Sequence, residues 1–133
     1  MAYYALIRID EHDKELVEQR GGRWWPVTLR PNLIFDHEDM VKKALERLQN
    51  YATYHLIGKE LLPKRFTLTQ LNNLYNAIFQ RNFNPGNFRK KVASIGALEK
   101  LSKKETISSK RGAFFYRFKE NTRDLIYDRI VKY

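Results

Sequence analysis

The residues of this chain that could do chemistry are amides, hydroxyls and cations rather than paired acids or nucleophiles. One group falls within residues 85–95, where a helical repeat would place it opposite the apolar positions. Such side chains donate hydrogen bonds to base edges and neutralise phosphates, and the major groove of a duplex admits an α-helix. The group comprises Asn87, Lys90 and Ser94, with Arg89 and Lys91 on the two flanks. The pattern predicts a surface that contacts nucleic acid, with a solvated basic turn as the alternative.

Two further groups lie where they could hold phosphate. The stretch 102–112 is expected to join two strands, so that its cations would flank the helix as a wing. These cations are Lys103, Lys104, Lys110 and Arg111. Thr67 and Thr69 open the preceding helix, where hydroxyls and unpaired amides can bind a phosphate. A flexible polar hairpin and simple helix capping are the alternative interpretations.

Local signals predict two helices that position these groups. Thr67 and Gln70 form a capping box for a helix that ends near Phe79. Asn84, followed by proline, suits the start of a second helix, and Gly96 suits its end. The positions expected to be buried are Leu68, Leu71, Leu74, Tyr75 and Ile78 in the first helix and Phe88, Val92 and Ile95 in the second.

A hairpin is predicted after the second helix, with strands at 98–101 and 113–118. Helix, turn, helix and a hairpin with a basic loop follow one another as in a winged helix-turn-helix. We therefore predict an α+β fold with a winged helix-turn-helix over residues 59–119. Three alternating aromatic residues of the last strand are expected in the core, since no glycine-framed RNA-binding signature accompanies them. They are Phe114, Tyr116 and Phe118.

The residues before this domain carry weaker signals. Residues 3–9 favour a strand, a polar stretch follows, and Trp24–Val27 favours a short strand broken by proline. Asp36 suits the N-cap of a linker helix, placed over 37–58, with an apolar stripe that suggests a dimer or an interface with residues absent from this sequence. The stripe is Met40, Val41, Ala44, Leu45, Leu48 and Tyr51. Residues 120–133 are expected to form a tail with a short helix.

The positive charge is confined to one part of the chain. Residues 59–119 hold 14 basic and 3 acidic side chains, whereas residues 1–58 hold 8 and 9, and residues 120–133 hold 3 and 3. The whole net charge of +10 therefore arises from the predicted winged helix. Such a segment is typical of a protein that meets a polyanion, with a merely solubilising surface as the alternative.

Enzymatic and membrane functions find no support in the sequence. The chain has no cysteine, and His12, His37 and His55 lack the spacing of a metal site. The acidic cluster at 36–39 is explained by the start of a helix, where carboxylates are favoured. We predict no catalytic residue, no metal and no cofactor. No apolar run reaches about 18 residues and no signal peptide is evident, so we predict no membrane contact and a cytoplasmic location.

Three segments and one single residue resemble the C-terminal domain of Nudix-related transcriptional regulators: 61–71, 87–91, 111–118 and Tyr75. Three upstream segments, Tyr3–Ile7, Trp24–Val27 and Phe35–His37, look like the last strand, exit loop and linker of the Nudix domain in that family. Residues 1–36 are accordingly interpreted as the C-terminal remnant of a Nudix domain.

The resemblance implies a function. In this family a Nudix domain senses ADP-ribose or a related metabolite or sugar, and a dimeric winged helix binds operator DNA. The Nudix signature, a glycine followed by a helix with Arg-Glu and Glu-Glu, is expected before residue 1, so the chain resembles a truncated product or an expressed fragment. Duplex DNA and a second copy are the expected partners, with a small effector only where the missing domain is present. A protein-interaction module and a Nudix hydrolase remnant are the alternatives.

Overall fold

A computed structural model of the chain describes residues 3–59, 61–107, 111–120, 127 and 129–131. The chain divides into two compact units, Met1–Ala44 and Leu45–Tyr133, and each is described separately. The helices and strands are α1 (Glu11–Gln19), a 3₁₀ turn (Val27–Leu29), α2 (His37–Tyr54), α3 (Leu68–Phe79), α4 (Pro85–Ile95), β1 (Leu98–Glu105) and β2 (Ala113–Phe118).

In the first unit, the polar stretch after residue 9 is a helix. Asp10 and Asp13 form a capping box: the Asp13 N–H donates to Asp10 Oδ1 at 2.8 Å, and the Asp10 N–H donates to Asp13 Oδ2 at 3.1 Å. The Asp13 N–H also holds the pKa of the Asp10 carboxyl below its usual range. Because α1 buries none of its residues, it has no apolar stripe by which the sequence could predict it.

The strands predicted at 3–9 and 24–27 are wrong. Residues 3–10 are irregular, and the aromatic segment leads into the 3₁₀ turn rather than a strand. A strand needs a neighbour for its backbone groups, and among the described residues only β1 and β2 form a sheet. Tyr3 and Ile7, whose types favour a strand, are exposed.

Helix α2 begins where the sequence predicts, since the Asp36 carbonyl accepts the Met40 N–H at 3.1 Å. It ends at Tyr54, so residues 55–58 of the predicted linker helix are not helical. Its last turn buries Ala52 and Thr53. The division of the chain into segments 1–36, 37–58, 59–119 and 120–133 remains a prediction.

The core of the second unit is built around Tyr75 of α3, which is fully buried. Its hydroxyl accepts the Ile57 N–H and donates to the His55 carbonyl, both at 3.2 Å, and so binds the segment after α2 to α3. Its ring centroid lies 5.3 Å from that of Phe88 in α4. Burial raises the pKa of the Tyr75 hydroxyl.

The predicted caps of α3 and α4 are confirmed. The Thr67 hydroxyl accepts the Gln70 N–H at 3.2 Å, and the Gln70 side chain accepts the Thr67 N–H at 2.8 Å. Asn84 Oδ1 accepts the Asn87 N–H at 3.0 Å, and Gly96 ends α4 in the left-handed conformation, with φ of 74°. In α4, Phe88 and Val92 are buried, as the sequence predicts, whereas Ile95 is only half-buried.

Strands β1 and β2 form an antiparallel hairpin, and Phe66 pairs with Tyr116 of β2 as an isolated bridge. The Phe66 N–H donates to the Tyr116 carbonyl at 3.0 Å, and the Tyr116 N–H donates back at 2.7 Å. The predicted core role of the aromatic alternation holds in part: the Phe118 ring centroid lies 5.1 Å from that of buried Phe66, and Tyr116 packs on the core. Two helices followed by this hairpin confirm the α+β winged-helix fold.

Strand β1 reaches Glu105 rather than the predicted Leu101. Lys103 and Lys104, expected in the loop, therefore lie on the strand. The apolar alternation stops at Leu101 because the outer half of β1 is largely exposed, so backbone pairing alone defines the strand there.

The predicted short helix of the tail falls largely outside the described residues. Of those described, Tyr127 and Ile130 donate their N–H groups to the carbonyls of Tyr54 and Thr53, at 2.8 and 2.7 Å. Ile130 and Val131 are buried. The tail therefore covers the end of α2. No helix within the described ranges is long and apolar enough to cross a membrane.

Candidate nucleic-acid interface

Helix α4 presents the predicted polar side chains away from the core. Asn87, Arg89, Lys90 and Ser94 are exposed, and Lys91 is half-buried. This orientation follows from the helical repeat, since Phe88 and Val92 point into the core. The Ser94 hydroxyl donates to the Lys91 carbonyl at 2.6 Å, which leaves its oxygen to accept a further hydrogen bond.

A cleft of about 840 Å³ separates the start of α3 from the hairpin. Arg89 lines it from α4, and Glu105, Gly112 and Phe114 line it from the hairpin. The full lining is Thr67, Leu68, Thr69, Gln70, Asn73, Arg89, Glu105, Ile107, Gly112, Ala113, Phe114 and Tyr116. The fold therefore brings Thr67, Thr69 and Arg89 together with the wing, although they lie far apart in sequence.

The two threonines occupy different environments. Thr67 is buried, and its hydroxyl oxygen accepts the Gln70 N–H as a cap. Thr69 is exposed, and its Oγ1 lies 3.5 Å from Arg89 Nη2, at the outer limit of a hydrogen bond. Capping therefore accounts for Thr67 without a ligand, whereas Thr69 faces the cleft beside a guanidinium.

The wing carries cations on its strands as well as its turn. Lys103 and Lys104 are exposed on β1, and Arg111 is exposed next to Gly112, whose φ is 73°. The Lys104 ammonium lies 4.6 Å from the centroid of the Phe114 ring. Lys110, also predicted to bind phosphate, lies outside the described residues.

Three polar residues of this region were not predicted as site residues. Gln70 and Asn73 line the cleft, and Lys100 places its ammonium 3.9 Å from the Phe114 ring centroid. A helical repeat could have found Asn73, because it lies four residues after Thr69 on α3. No sequence signal could have found Lys100, because its place depends on a register shift in the hairpin.

Two carboxylates lie among these cations. Glu99 pairs with Arg117 across the hairpin, with 2.7 Å between Glu99 Oε2 and Arg117 Nε, and this guanidinium holds the pKa of Glu99 below its usual range. Glu105 lines the cleft itself. Within the part of the chain that is described, no three His, Cys, Asp or Glu side chains are grouped so that they could hold a metal ion.

Comparison with known proteins agrees with this geometry. Residues 58–118 match the family model of the NrtR DNA-binding winged helix domain. Over these residues the chain is similar to the winged helices of the NrtR type. The match confirms the resemblance to Nudix-related regulators for this domain, whereas the interpretation of residues 1–36 as a Nudix remnant remains a prediction.

The chain is also similar to parts of longer proteins. The chain is 31% identical over 133 residues to the "ADPR responsive transcriptional repressor NtrR" of Acinetobacter baylyi, covering 98% of this chain and 53% of that protein. The structure of Shewanella oneidensis NrtR complexed with a 27mer DNA matches with a TM-score of 0.66 and 28% identity, over 83% of this chain and 51% of that one. A crystal structure of Shewanella oneidensis NrtR also matches, with a TM-score of 0.61 and 28% identity, over 80% of this chain and 49% of that one. The chain thus spans about half the length of these relatives.

Proposed function

We propose that the chain binds double-stranded DNA in a sequence-specific manner, as the operator-binding part of a Nudix-related transcriptional repressor. One observation carries the proposal: Arg89 of α4 and Gly112 of the wing line the same cleft. A helix and a wing that meet in this way can contact one duplex together. The excess of positive charge in residues 59–119 supplies the attraction to a polyanion.

The exposed face of α4 is proposed to enter the major groove. There Asn87, Lys90 and Ser94 offer donors and acceptors for base edges. The remaining cations and hydroxyls are proposed to hold phosphates, which fix the register of a protein on the duplex. They are Thr69, Arg89, Lys91, Lys103, Lys104, Lys110 and Arg111, whereas Thr67 is assigned to capping.

The relatives suggest the wider setting of this activity. The name of the Acinetobacter baylyi repressor describes it as ADPR responsive, so we propose ADP-ribose as the effector where the Nudix domain is present. We propose that the protein works as a homodimer in the cytoplasm, because operator sites are commonly two-fold symmetric and the target is DNA. The proposed role of this chain is binding, without catalysis.

Binding to a randomised pool of 27-base-pair duplexes, followed by affinity measurement on the recovered sequence, tests the proposal. We expect one sequence to be enriched, and its affinity to exceed that of a scrambled duplex by about 10³-fold or more at physiological salt. The affinity should fall linearly with salt on logarithmic axes. Equal affinity for recovered and scrambled duplexes, or no binding at 50 mM salt, would refute sequence-specific recognition. A protein that co-purifies in the absence of DNA binding would support the interaction module instead.

A further inference from the structure

Two lysines of β1 lie against a single aromatic ring of β2. The ammonium of Lys100 is 3.9 Å and that of Lys104 is 4.6 Å from the centroid of the Phe114 ring. Both distances fall within the roughly 6 Å at which a ring attracts a cation. We call these three residues the lysine–phenylalanine clamp.

The hairpin register brings the clamp together. Lys104 lies directly opposite Phe114, whereas Lys100 lies opposite Tyr116. The pairing shifts between Lys100 and Lys104, where β1 uses more residues than β2. The shift is therefore what allows two lysines, rather than one, to reach the same ring.

Gly112 leaves room for one of the two stems. A Cβ atom at this position would lie 3.2 Å from both Cβ and Cδ of Lys104, closer than ordinary van der Waals contact. Its φ of 73° also favours glycine. The backbone after the wing turn is thus shaped to let the Lys104 side chain cross toward Phe114.

The electrostatics of the clamp favour an anion. Two ammonium groups on one ring lie within about a Debye length of each other, roughly 8 Å at physiological salt, so they repel. Within the described ranges, the ion pairs are Lys14–Glu11, Arg30–Glu38 and Arg117–Glu99, and neither clamp lysine belongs to them. An anion bound close to the ammonium groups would relieve this repulsion.

We propose that Lys100, Lys104 and Phe114 form a phosphate-binding site that takes the phosphodiester backbone of duplex DNA. Phe114 also lines the cleft that Thr69 and Arg89 line, so the site adjoins that cleft. In this site the lysines contact phosphate and Phe114 is a positioning residue, which holds their side chains before DNA arrives. The site rests on the proposed function. It adds Phe114, which acts on the two lysines and does not itself contact the phosphates of DNA.

Three variants of the full chain test the site on the recovered duplex. Phe114→Leu keeps apolar bulk but removes the ring, and it should weaken binding by about three- to tenfold, because two long side chains must then be ordered on binding. Phe114→Tyr keeps the ring and should bind within about twofold of the unchanged protein. Lys100→Ala combined with Lys104→Ala should lower the salt slope by about two units.

The matched control is Phe115→Leu, the same substitution one residue along the strand. The Phe115 ring contacts Arg65 rather than a clamp lysine: Arg65 Cζ lies 5.2 Å from the ring centroid. We expect the control to bind within about twofold of the unchanged protein. Equal losses for Phe114→Leu and Phe115→Leu would assign the effect to hairpin stability and overturn the site.

A spectroscopic measurement on the free protein separates positioning from folding. The Hε protons of Lys100 and Lys104 should show upfield ring-current shifts in the unchanged protein and in Phe114→Tyr, but not in Phe114→Leu. Random-coil shifts in the unchanged protein would overturn the clamp. If the unchanged protein binds duplex DNA and Phe114→Leu binds equally well, only the site fails. If the unchanged protein does not bind, both the site and the proposed function fail.

Discussion

Arg89 and Thr69 lie on different helices, yet Arg89 Nη2 is 3.5 Å from Thr69 Oγ1. The contact places the guanidinium of α4 at the start of α3, where backbone N–H groups and the helix dipole also favour an anion. Both side chains are exposed and line the cleft beside the wing. This pair therefore marks the place where α3, α4 and the hairpin meet.

Arg89→Ala should weaken binding of the recovered duplex by about 1–2 kcal/mol and lower the salt slope by about one unit, because one phosphate contact is lost. Fluorescence anisotropy over a series of salt concentrations measures both quantities. Arg47→Ala is the control, since Arg47 is exposed on α2 within the same unit and does not line the cleft. An unchanged slope for Arg89→Ala would remove this residue from the phosphate contacts.

Glu105→Gln should strengthen DNA binding by about two- to fivefold at low salt, because it removes a negative charge from the cleft that Arg89 lines. The amide oxygen of glutamine can still accept the Ile107 N–H that Glu105 Oε1 accepts now, so the fold should be retained. The gain should shrink as salt rises. Glu46→Gln, on the exposed side of α2, should change nothing. Weaker binding by Glu105→Gln would show that the carboxylate supports the interface.

Tyr75→Phe should lower the free energy of unfolding by about 1–3 kcal/mol, because the Ile57 N–H and the His55 carbonyl lose their shared partner in the core. Urea unfolding at neutral pH measures the loss. Leu74→Ala, at the half-buried neighbour of Tyr75 in the same helix, provides a comparison in which only apolar contacts are lost. No measurable loss for Tyr75→Phe would mean that water replaces the hydroxyl.

The same tyrosine makes stability depend on pH in the alkaline range. Burial raises the folded pKa of Tyr75 above the unfolded value of about 10, so folding holds the proton more tightly than the unfolded chain does. The stabilisation is fully present below pH 10 and is lost as pH rises toward the folded pKa. Above pH 10 the unchanged protein should therefore lose stability faster than Tyr75→Phe. Parallel curves for the two proteins between pH 9 and 11 would contradict a buried, protonated Tyr75.

How much the sequence could predict depended on how local each signal was. Helix α4 was predicted with its observed limits because Asn84, Pro85 and Gly96 act on their own backbone neighbours. The sequence did not predict the outer half of β1, because residues 102–105 contain no apolar side chain that could indicate a strand. Only backbone pairing with β2 holds this part of the chain in a strand. The prediction of a strand at residues 3–9 was wrong for the opposite reason. These residues have strand propensity but no partner strand with which to pair.

For the candidate site, too, the sequence predicted local features but not contacts between separate elements. Exposure of Asn87 and Lys90 followed from the helical repeat, because buried Phe88 fixes which side of α4 faces out. The approach of Arg89 to Thr69 and of Lys100 to Phe114 could not be predicted, because each depends on packing or register between separate elements. Sequence reasoning therefore found the residue types of the surface but not their arrangement.

Crosslinking tests most directly whether α4 and the wing contact one duplex at the same time. The chain has no cysteine, so single cysteines at Asn87 and Arg111 can carry a photoreactive group at one defined place each, with Arg47 as the control position. We expect crosslinks from positions 87 and 111 to fall within about one turn of DNA, roughly 10 base pairs, on the recovered duplex, and none from position 47. Crosslinking from only one of positions 87 and 111, or from neither, would contradict a shared surface.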